Sequence, residues 1–317
     1  MAIMKIFNQV NLSTLVDKLY KPNTFIRNLF FKEEVYEDSG YVTSLEVEIP
    51  HIKEKILITR KIMGENLILA STGLVIHENY NIKEEVKKIL QSELESLLDR
   101  IVWSQEYLCS LAFTEGKIDI QNENISLNVD FKIPVENVQE ASVEWQSETA
   151  NIIEDIEKLV QTVYDTSGLI SDSLIIGHEA FSYMMRNKKF QKIYNDQRKF
   201  EMWSNRLQEL PDGASHAMTL FVVGANLQFY QYTQHIIDDN GTKKYLIDPK
   251  KIYIGSTQAQ NTFTRGRVTD IHGGDSKIFA KTWLSEDPSG IYLLAESCSM
   301  PVLSQPNAFG RMTVIAE

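Results

Sequence analysis

Cysteine is scarce: Cys109 and Cys298 are the only two in 317 residues. Cys109 falls inside an apolar helical pattern and Cys298 inside an apolar strand pattern, where a free thiol packs as a small hydrophobe. A disulfide or a cysteine metal pair is not supported, and the usage fits a reducing, cytosolic birthplace. Long hydrophobic runs are missing as well. No window approaches the roughly 18 unbroken apolar residues that a membrane-spanning helix needs. The first residues, "MAIMKIFNQVNLSTLVDKLYKP", lack the apolar core and small-residue cleavage site of a secretion signal. Positive charge is in deficit, with a net charge of −11 and a pI near 5.2. Such a chain is poorly suited to wrapping nucleic acid tightly. The stretch up to residue 32 runs the other way: Lys5, Lys18, Lys21, Arg27 and Lys32 face Asp17 alone, a net of +4. A solvated arm is the expected reading of that imbalance.

Signatures of catalysis are also missing. His178-Glu179 begins like a zinc-protease motif, but no histidine follows four residues after the first. Gly177-His178-Glu179 reads instead as a helix start, with Glu179 favoured by the helix dipole. "DIHGGD" (270–275) lacks the spacing of a phosphate loop, and neither a nucleophile elbow nor a dinucleotide fingerprint occurs. The histidines at 51, 77, 178, 216, 235 and 272 have no ligand spacing. The residues point to no catalytic group, no metal and no cofactor.

What is present is a folded globular composition, 43% hydrophobic and 24% charged, long enough for one large or two ordinary domains. Residues 9–20 form a short amphipathic helix pattern with Leu12, Leu15, Val16 and Leu19 on one side. "PNTFIRNLFFKE" (22–33) then concentrates Phe25, Ile26, Leu29, Phe30 and Phe31, which must be buried on this chain's body or on a neighbour's. Residues 35–78 alternate apolar and polar, with Val42, Leu45, Val47 and Ile49 and later Ile56, Ile58 and Ile62. They predict a long ribbon with few partners of its own, and isolated hairpins are marginal in water.

The clearest element is a helix over 82–112. Ile82, Val86, Ile89, Leu90, Leu94, Leu97, Ile101, Leu108 and Leu111 recur at three and four residues without Gly or Pro. Thirty-one residues make a rod of about 46 Å. A hairpin is expected over 117–133, turning at Asn122-Glu123-Asn124, and helices over 151–165 and within 172–196. "DDNGTKKYLIDPKKIYIGSTQA" (238–259) carries a tight-turn signal at Asn240-Gly241 and strands on either side of Asp248-Pro249. Further strands are expected over 219–236 and 289–303, and the final "GRMTVIAE" closes a sheet. No repeat and no βαβ rhythm is present, so the expected class is α+β.

An apolar arm, an unsupported ribbon, a rod-like helix and a β-rich C-terminal half follow in an order that resembles the tailed-phage major capsid fold of Hong Kong 97 type. The local sequence resembles the lambda-type major capsid protein (gene E product) family. "PNTFIRNLFF" (22–31) is similar to that family's Phe-Leu-Arg-x-x-Phe-Phe segment, and "VEWQSETANIIEDIEKL" (143–159) to its Glu-Trp-Ser and Asp-Ile stretch, without the family's proline. The 238–259 segment and "KTWLSEDPSGIYLLAESCSMPVLSQPNAFGRMTVIA" (281–316) resemble its later motifs, whereas the family's glycine-rich loop tip is reduced here to Gly64 and Gly73.

The resemblance implies an N-terminal arm (1–34), an extended loop (35–80), a peripheral domain (81–142, with 301–317 joining it) and an axial domain (143–300). It implies a shell of hexamers and pentamers around a double-stranded DNA genome contacted weakly on the inner face. A portal protein and, in some members, a decoration protein are the further partners that the resemblance implies, and because the arm begins so early a separate scaffold, or none, is expected. The expected place is the virion, with assembly in the host bacterial cytoplasm and no membrane. Inter-subunit contacts are expected from Phe25, Arg27, Phe30 and Phe31 in the arm, though ordinary core is the simpler role for its aromatics. They are expected also from Arg60, Lys61 and Glu65 in the loop. Asn240, Gly241, Arg265 and Arg267 are expected near the symmetry axis. An encapsulin-like compartment and a soluble enzyme with an unrecognised site are the alternatives.

Overall fold

The computed structural model describes residues 10–12, 15, 16, 19, 20, 24–58, 82–121, 126–201, 210, 211, 213–237, 243–270, 277–285 and 290–316. Two six-stranded sheets carry it. The first runs β1 (Val10–Asn11), β16 (Phe279–Ser285), β17 (Gly290–Val302), β15 (Thr262–Gly266) and β2 (Glu33–Glu37), with β5 (His51–Ile58) also on β17. The second runs β10 (Ala214–Val222), β11 (Ala225–Tyr232), β9 (Ser173–Ile176), β14 (Lys251–Gly255), β18 (Phe309–Thr313) and β8 (Val138–Glu140). Three hairpins stand apart from them: β3 (Tyr41–Val42) with β4 (Val47–Glu48), β6 (Lys117–Gln121) with β7 (Ser126–Asp130), and β12 (His235–Ile237) with β13 (Lys243–Tyr245). The helices are α1 (Phe25–Phe30), α2 (Ile82–Glu115), α3 (Ile152–Ser167), α4 (His178–Arg186) and α5 (Lys188–Glu201). Among the described residues, no helix is long and apolar enough to cross a membrane.

Periodicity explains where each element goes. Helix α2 buries Leu94, Leu97, Leu98, Ile101, Leu108, Cys109 and Ala112, spaced to lie on one face against β17 and β5. It ends before Gly116, whose φ of 67° is the left-handed conformation glycine adopts without a steric penalty. The middle strands of the second sheet are apolar on both faces. Leu174 and Ile176 of β9 and Ile252 and Ile254 of β14 point to one core, with Ile156, Leu159 and Met184 from the helices. Ile175 and Tyr253, between them in sequence, point to the other core, with Phe113 of α2 and Phe30 of α1. The second sheet is thus covered on both sides.

Several expectations change in position. The 35–58 part of the ribbon is not free: β5 pairs antiparallel with β17 from Ile58↔Ile291 to His51↔Cys298. Its alternating start folds back on itself, Val42 opposite Val47, through a turn with Glu46 at a φ of 55°. The predicted 143–300 unit also divides. β15, β16 and β17 belong to the first sheet with β2 and β5, whereas C-terminal β18 lies in the second sheet between β14 and β8. The helix expected within 172–196 is two, because Asn187 ends α4 and its Oδ1 accepts the Phe190 N–H at 3.0 Å to cap α5. Residues 10 and 11, expected in a helix, form β1 against Thr282 and Lys281.

The β10–β11 turn is strained. Val222 pairs with Ala225, and the two loop residues Val223 and Gly224 have φ of 48° and 79°. Positive φ at both positions is the type I′ hairpin geometry. Glycine suits it; a branched residue in the left-handed region costs about 1–2 kcal/mol.

Gly177, between β9 and α4, is the tightest backbone approach. A Cβ there would lie 2.2 Å from the Asp248 carbonyl oxygen and 2.4 Å from that of Pro249. Those carbonyls are held in place, since Pro249 accepts the Ala180 N–H at 3.0 Å and Asp248 that of Lys251 at 3.2 Å. Gly177→Ala is therefore expected to lower the unfolding free energy by about 1–3 kcal/mol in urea titrations. An unchanged midpoint would show that the 248–251 turn yields freely.

Candidate functional site

Helix α1 begins without a cap of its own: the Thr24 side chain makes no capping hydrogen bond. The first N–H groups of a buried helix must nevertheless find acceptors. Glu106, from the middle of α2, supplies them. Its Oε1 accepts the N–H of Phe25 at 3.0 Å and of Ile26 at 2.7 Å, and its Oε2 accepts that of Arg27 at 3.0 Å. The Tyr232 hydroxyl of β11 donates to Oε1 at 3.1 Å. Glu106 is fully buried. Burial pushes its carboxyl above the ordinary range, against the pull of these four donated bonds. Burial also pushes the Tyr232 hydroxyl up, with the Glu106 charge adding to it.

Arg27 extends the network outward. Its guanidinium donates to the Tyr20 hydroxyl at 2.9 Å, to Gln105 Oε1 at 2.8 Å and to Glu34 Oε1 at 2.8 Å, and it lies 3.9 Å over the Phe263 ring. Gln105 Nε2 donates onward to Ser297 and Ser299 of β17, at 3.0 and 3.1 Å. Glu34 Oε2 accepts from Arg265 at 2.8 Å and from Lys277 at 3.0 Å. Partial burial raises the Glu34 carboxyl, but Lys277, Arg265 and Arg27 together hold it below the ordinary carboxylate range. One chain of polar contacts thus joins α1, α2, both sheets and the surface.

The arm residues expected at a neighbour's surface therefore pack inside their own chain. Phe25 sits 5.2 and 5.1 Å from the rings of Tyr230 and Tyr232, and Phe30 stacks on Phe113 at 4.6 Å with Phe309 edge-on at 5.3 Å. Phe31 is buried in the same core. Arg27 is 4% exposed, so it is no part of a solvated basic arm. Arg265 is tied to Glu34, while Arg267 lies at the surface 4.0 Å from Asp38. Arg60, Lys61, Glu65, Asn240 and Gly241 lie outside the described residues. Trp283, in β16, stacks on Tyr292 of β17 at 5.1 Å.

Gln105, Glu106, Glu34 and Tyr232 did not stand out in the sequence. A signal existed: the α2 stripe skips from Ile101 to Leu108, and Gln105 occupies the core-facing place between them. A polar residue in a core stripe announces a buried partner.

A second cluster joins β5 to β17. His51 Nδ1 lies 3.0 Å from Glu296 Oε1, and its Nε2 lies 3.8 Å from the Cys298 sulfur. Glu296 also accepts the Thr269 N–H at 2.9 Å and hydroxyl at 2.8 Å, with Lys53 at 3.5 Å. The Cys298 and Glu296 contacts hold His51 up to about 9 against partial burial. Burial would raise Glu296, yet His51, Thr269 and Lys53 bring it down to about 2. Among the described residues, no group of three His, Cys, Asp or Glu side chains is placed to hold a metal.

Two outcomes follow from these clusters. Glu106→Ala leaves three buried N–H groups and a tyrosine hydroxyl without an acceptor, and a loss of about 3–5 kcal/mol in unfolding free energy is expected; Glu106→Gln, which keeps one acceptor oxygen, should lose less. Equal stability of all three proteins would deny the capping role. For His51, a folded value of about 9 against 6.5 means its contribution is complete below about pH 6.5 and fades as pH rises through about 9. Thermal melts should show wild type losing on the order of 1 kcal/mol more than His51→Gln across that window, a modest figure because the ring is partly exposed and screened. Parallel pH profiles would contradict it.

No curated protein sequence matches the chain. Among solved structures, a prophage protein from E. coli CFT073 described as a capsid protein superposes with a TM-score of 0.76 at 18% identity, covering 97% of this chain and 99% of that one. A phage-related protein from Bordetella bronchiseptica RB50 gives a TM-score of 0.55 at 12% identity, with 96% of each chain covered. At these identities the likeness is one of fold. Sequence membership is shown separately, because residues 32–314, nearly the whole length, match the phage major capsid protein E family. The chain with the Glu106-capped arm belongs to the phage major capsid protein E family.

Proposed function

We propose that this shell-forming capsid protein builds an icosahedral head from hexamers and pentamers, enclosing the double-stranded DNA of a tailed phage or a related particle. The observation that carries the proposal is the family match over 32–314, which takes in the second sheet, the first sheet apart from β1, and the helices from α2 onward. In this reading the first sheet with α2 is the peripheral part and the second sheet with α3, α4 and α5 is the axial part. Arg267, exposed beside Asp38, remains a contact candidate, as do Arg60, Lys61, Glu65, Asn240 and Gly241. Portal, separate scaffolding and decoration proteins are the expected partners, with assembly in the host cytoplasm. A net charge of −11 suits a wall that DNA touches weakly. The role is structural, with no catalytic step.

The purified full chain, alone and with a co-expressed scaffold, should form shells, tubes or rings visible by negative-stain electron microscopy and sedimenting far above the monomer. A chain that remains monomeric at high concentration in both settings would refute the proposal.

A further inference from the structure

The span 180–195 holds four cations, Arg186, Lys188, Lys189 and Lys192, and no aspartate or glutamate. On a chain of net charge −11 that is a dense patch of the opposite sign. All four side chains are exposed, at the turn from α4 into α5. Arg186 lies 6.0 Å over the Tyr183 ring, and Lys189 donates to the Thr149 carbonyl at 3.0 Å. Among the described residues, none of the four meets a carboxylate.

The packing of α5 does not ask for these lysines. A helix dipole favours acids in the first turn; α5 has none there, and Lys188 and Lys189 stand in their place. Lys192 lies about one turn from both, so like charges crowd one side of the helix. What holds α5 to the second sheet is Phe190, buried and stacked on Tyr194, together with the Asn187 cap. A local preference broken repeatedly on an exposed surface, with no compensating contact inside the chain, marks a surface meant for a partner.

The chemistry of that partner follows from what surrounds the cations. Between 188 and 195 the exposed side chains are Lys188, Lys189, Gln191, Lys192, Ile193 and Asn195, and Ile193 alone is apolar. A protein interface needs an apolar centre, whereas a phosphate backbone is met by cations and amides. We propose that Arg186, Lys188, Lys189 and Lys192 form a contact surface for the sugar-phosphate backbone of double-stranded DNA. Phosphate contacts carry no sequence information, so the contact is blind to sequence. Four cations on an otherwise acidic chain make it weak and sensitive to salt. This rests on the shell-forming reading and deepens it, because it turns the α4–α5 side of the second sheet toward the enclosed DNA.

The test is fluorescence anisotropy of a short labelled DNA duplex titrated with the full chain at rising NaCl, below the concentration at which shells form. Wild type should bind weakly and lose affinity steadily with salt. Lys188→Gln/Lys192→Gln should bind about tenfold less well, with a salt slope smaller by about two. Lys188→Arg/Lys192→Arg should keep both affinity and slope. Lys117→Gln/Lys132→Gln, the same change of charge beside the β6–β7 hairpin, should bind as wild type does. Relief of crowding should also raise the Tm of the Lys188→Gln/Lys192→Gln chain; a lowered Tm would give the lysines a structural reason and overturn the proposal. Equal binding by that chain and wild type, an equal loss from the Lys117 and Lys132 pair, or a loss from the arginine pair would overturn it too. So would a Lys188→Gln/Lys192→Gln chain that binds DNA as before but no longer assembles, since another protein surface would then occupy the patch. A wild-type chain that never assembles, alone or with a scaffold, would bring down the shell reading, while the anisotropy still decides whether the patch binds DNA.

Discussion

A carboxylate buried in the middle of a long helix is costly, and Glu106 is kept there by what it holds. Desolvating a charge costs several kcal/mol unless its oxygens are all used, and Glu106 accepts three backbone N–H groups of α1 and the Tyr232 hydroxyl. Because α1 has only six residues and no side-chain cap, it has little stability of its own. Its place is set by the acceptor waiting in α2. Once α1 is seated, Phe25 and Phe30 reach the second sheet, and Arg27 reaches Gln105 on α2 and Glu34 on the first sheet. The short helix is the wedge through which the two sheets and the rod communicate.

This organisation suits a shell. A shell subunit needs parts that each hold their shape and a junction that keeps them in register. The second sheet has helices on one face and the α1–α2 core on the other, so its packing is complete within one chain. β17 does the same for the first sheet, pairing with β16, β5 and β15 along its thirteen residues. His51 and Glu296 then tie β5 and Thr269 to that strand. Apolar side chains such as Val135 and Val138 stay exposed at the β8 edge.

The elements were readable where one physical signal dominated. The α2 stripe, the strand that follows Asp248-Pro249 and the Gly177 helix start are local patterns, and the structure has them at those positions. Sheet membership was not readable, because it depends on pairings such as Arg265 with both Tyr36 and Ser299, which no local pattern encodes. Nor was the destination of the arm. Phe25, Phe30 and Phe31 announce burial but not the surface that buries them, and Arg27 looks like a solvated cation until Glu34 and Gln105 are placed beside it. The polar network escaped notice since its bonded partners lie 7 to 243 residues apart and no motif links them. The gap at Gln105 in the α2 stripe was its one local trace.

The claim that the arm is fastened to its own chain is best tested by amide hydrogen exchange in the disassembled subunit. The account predicts that the N–H groups of Phe25, Ile26 and Arg27 exchange as slowly as those of the α2 core around Leu98 to Leu108, and that assembly changes them little. Fast exchange at these three amides in the free subunit, slowing only within the shell, would mean that a neighbour holds the arm and would contradict it.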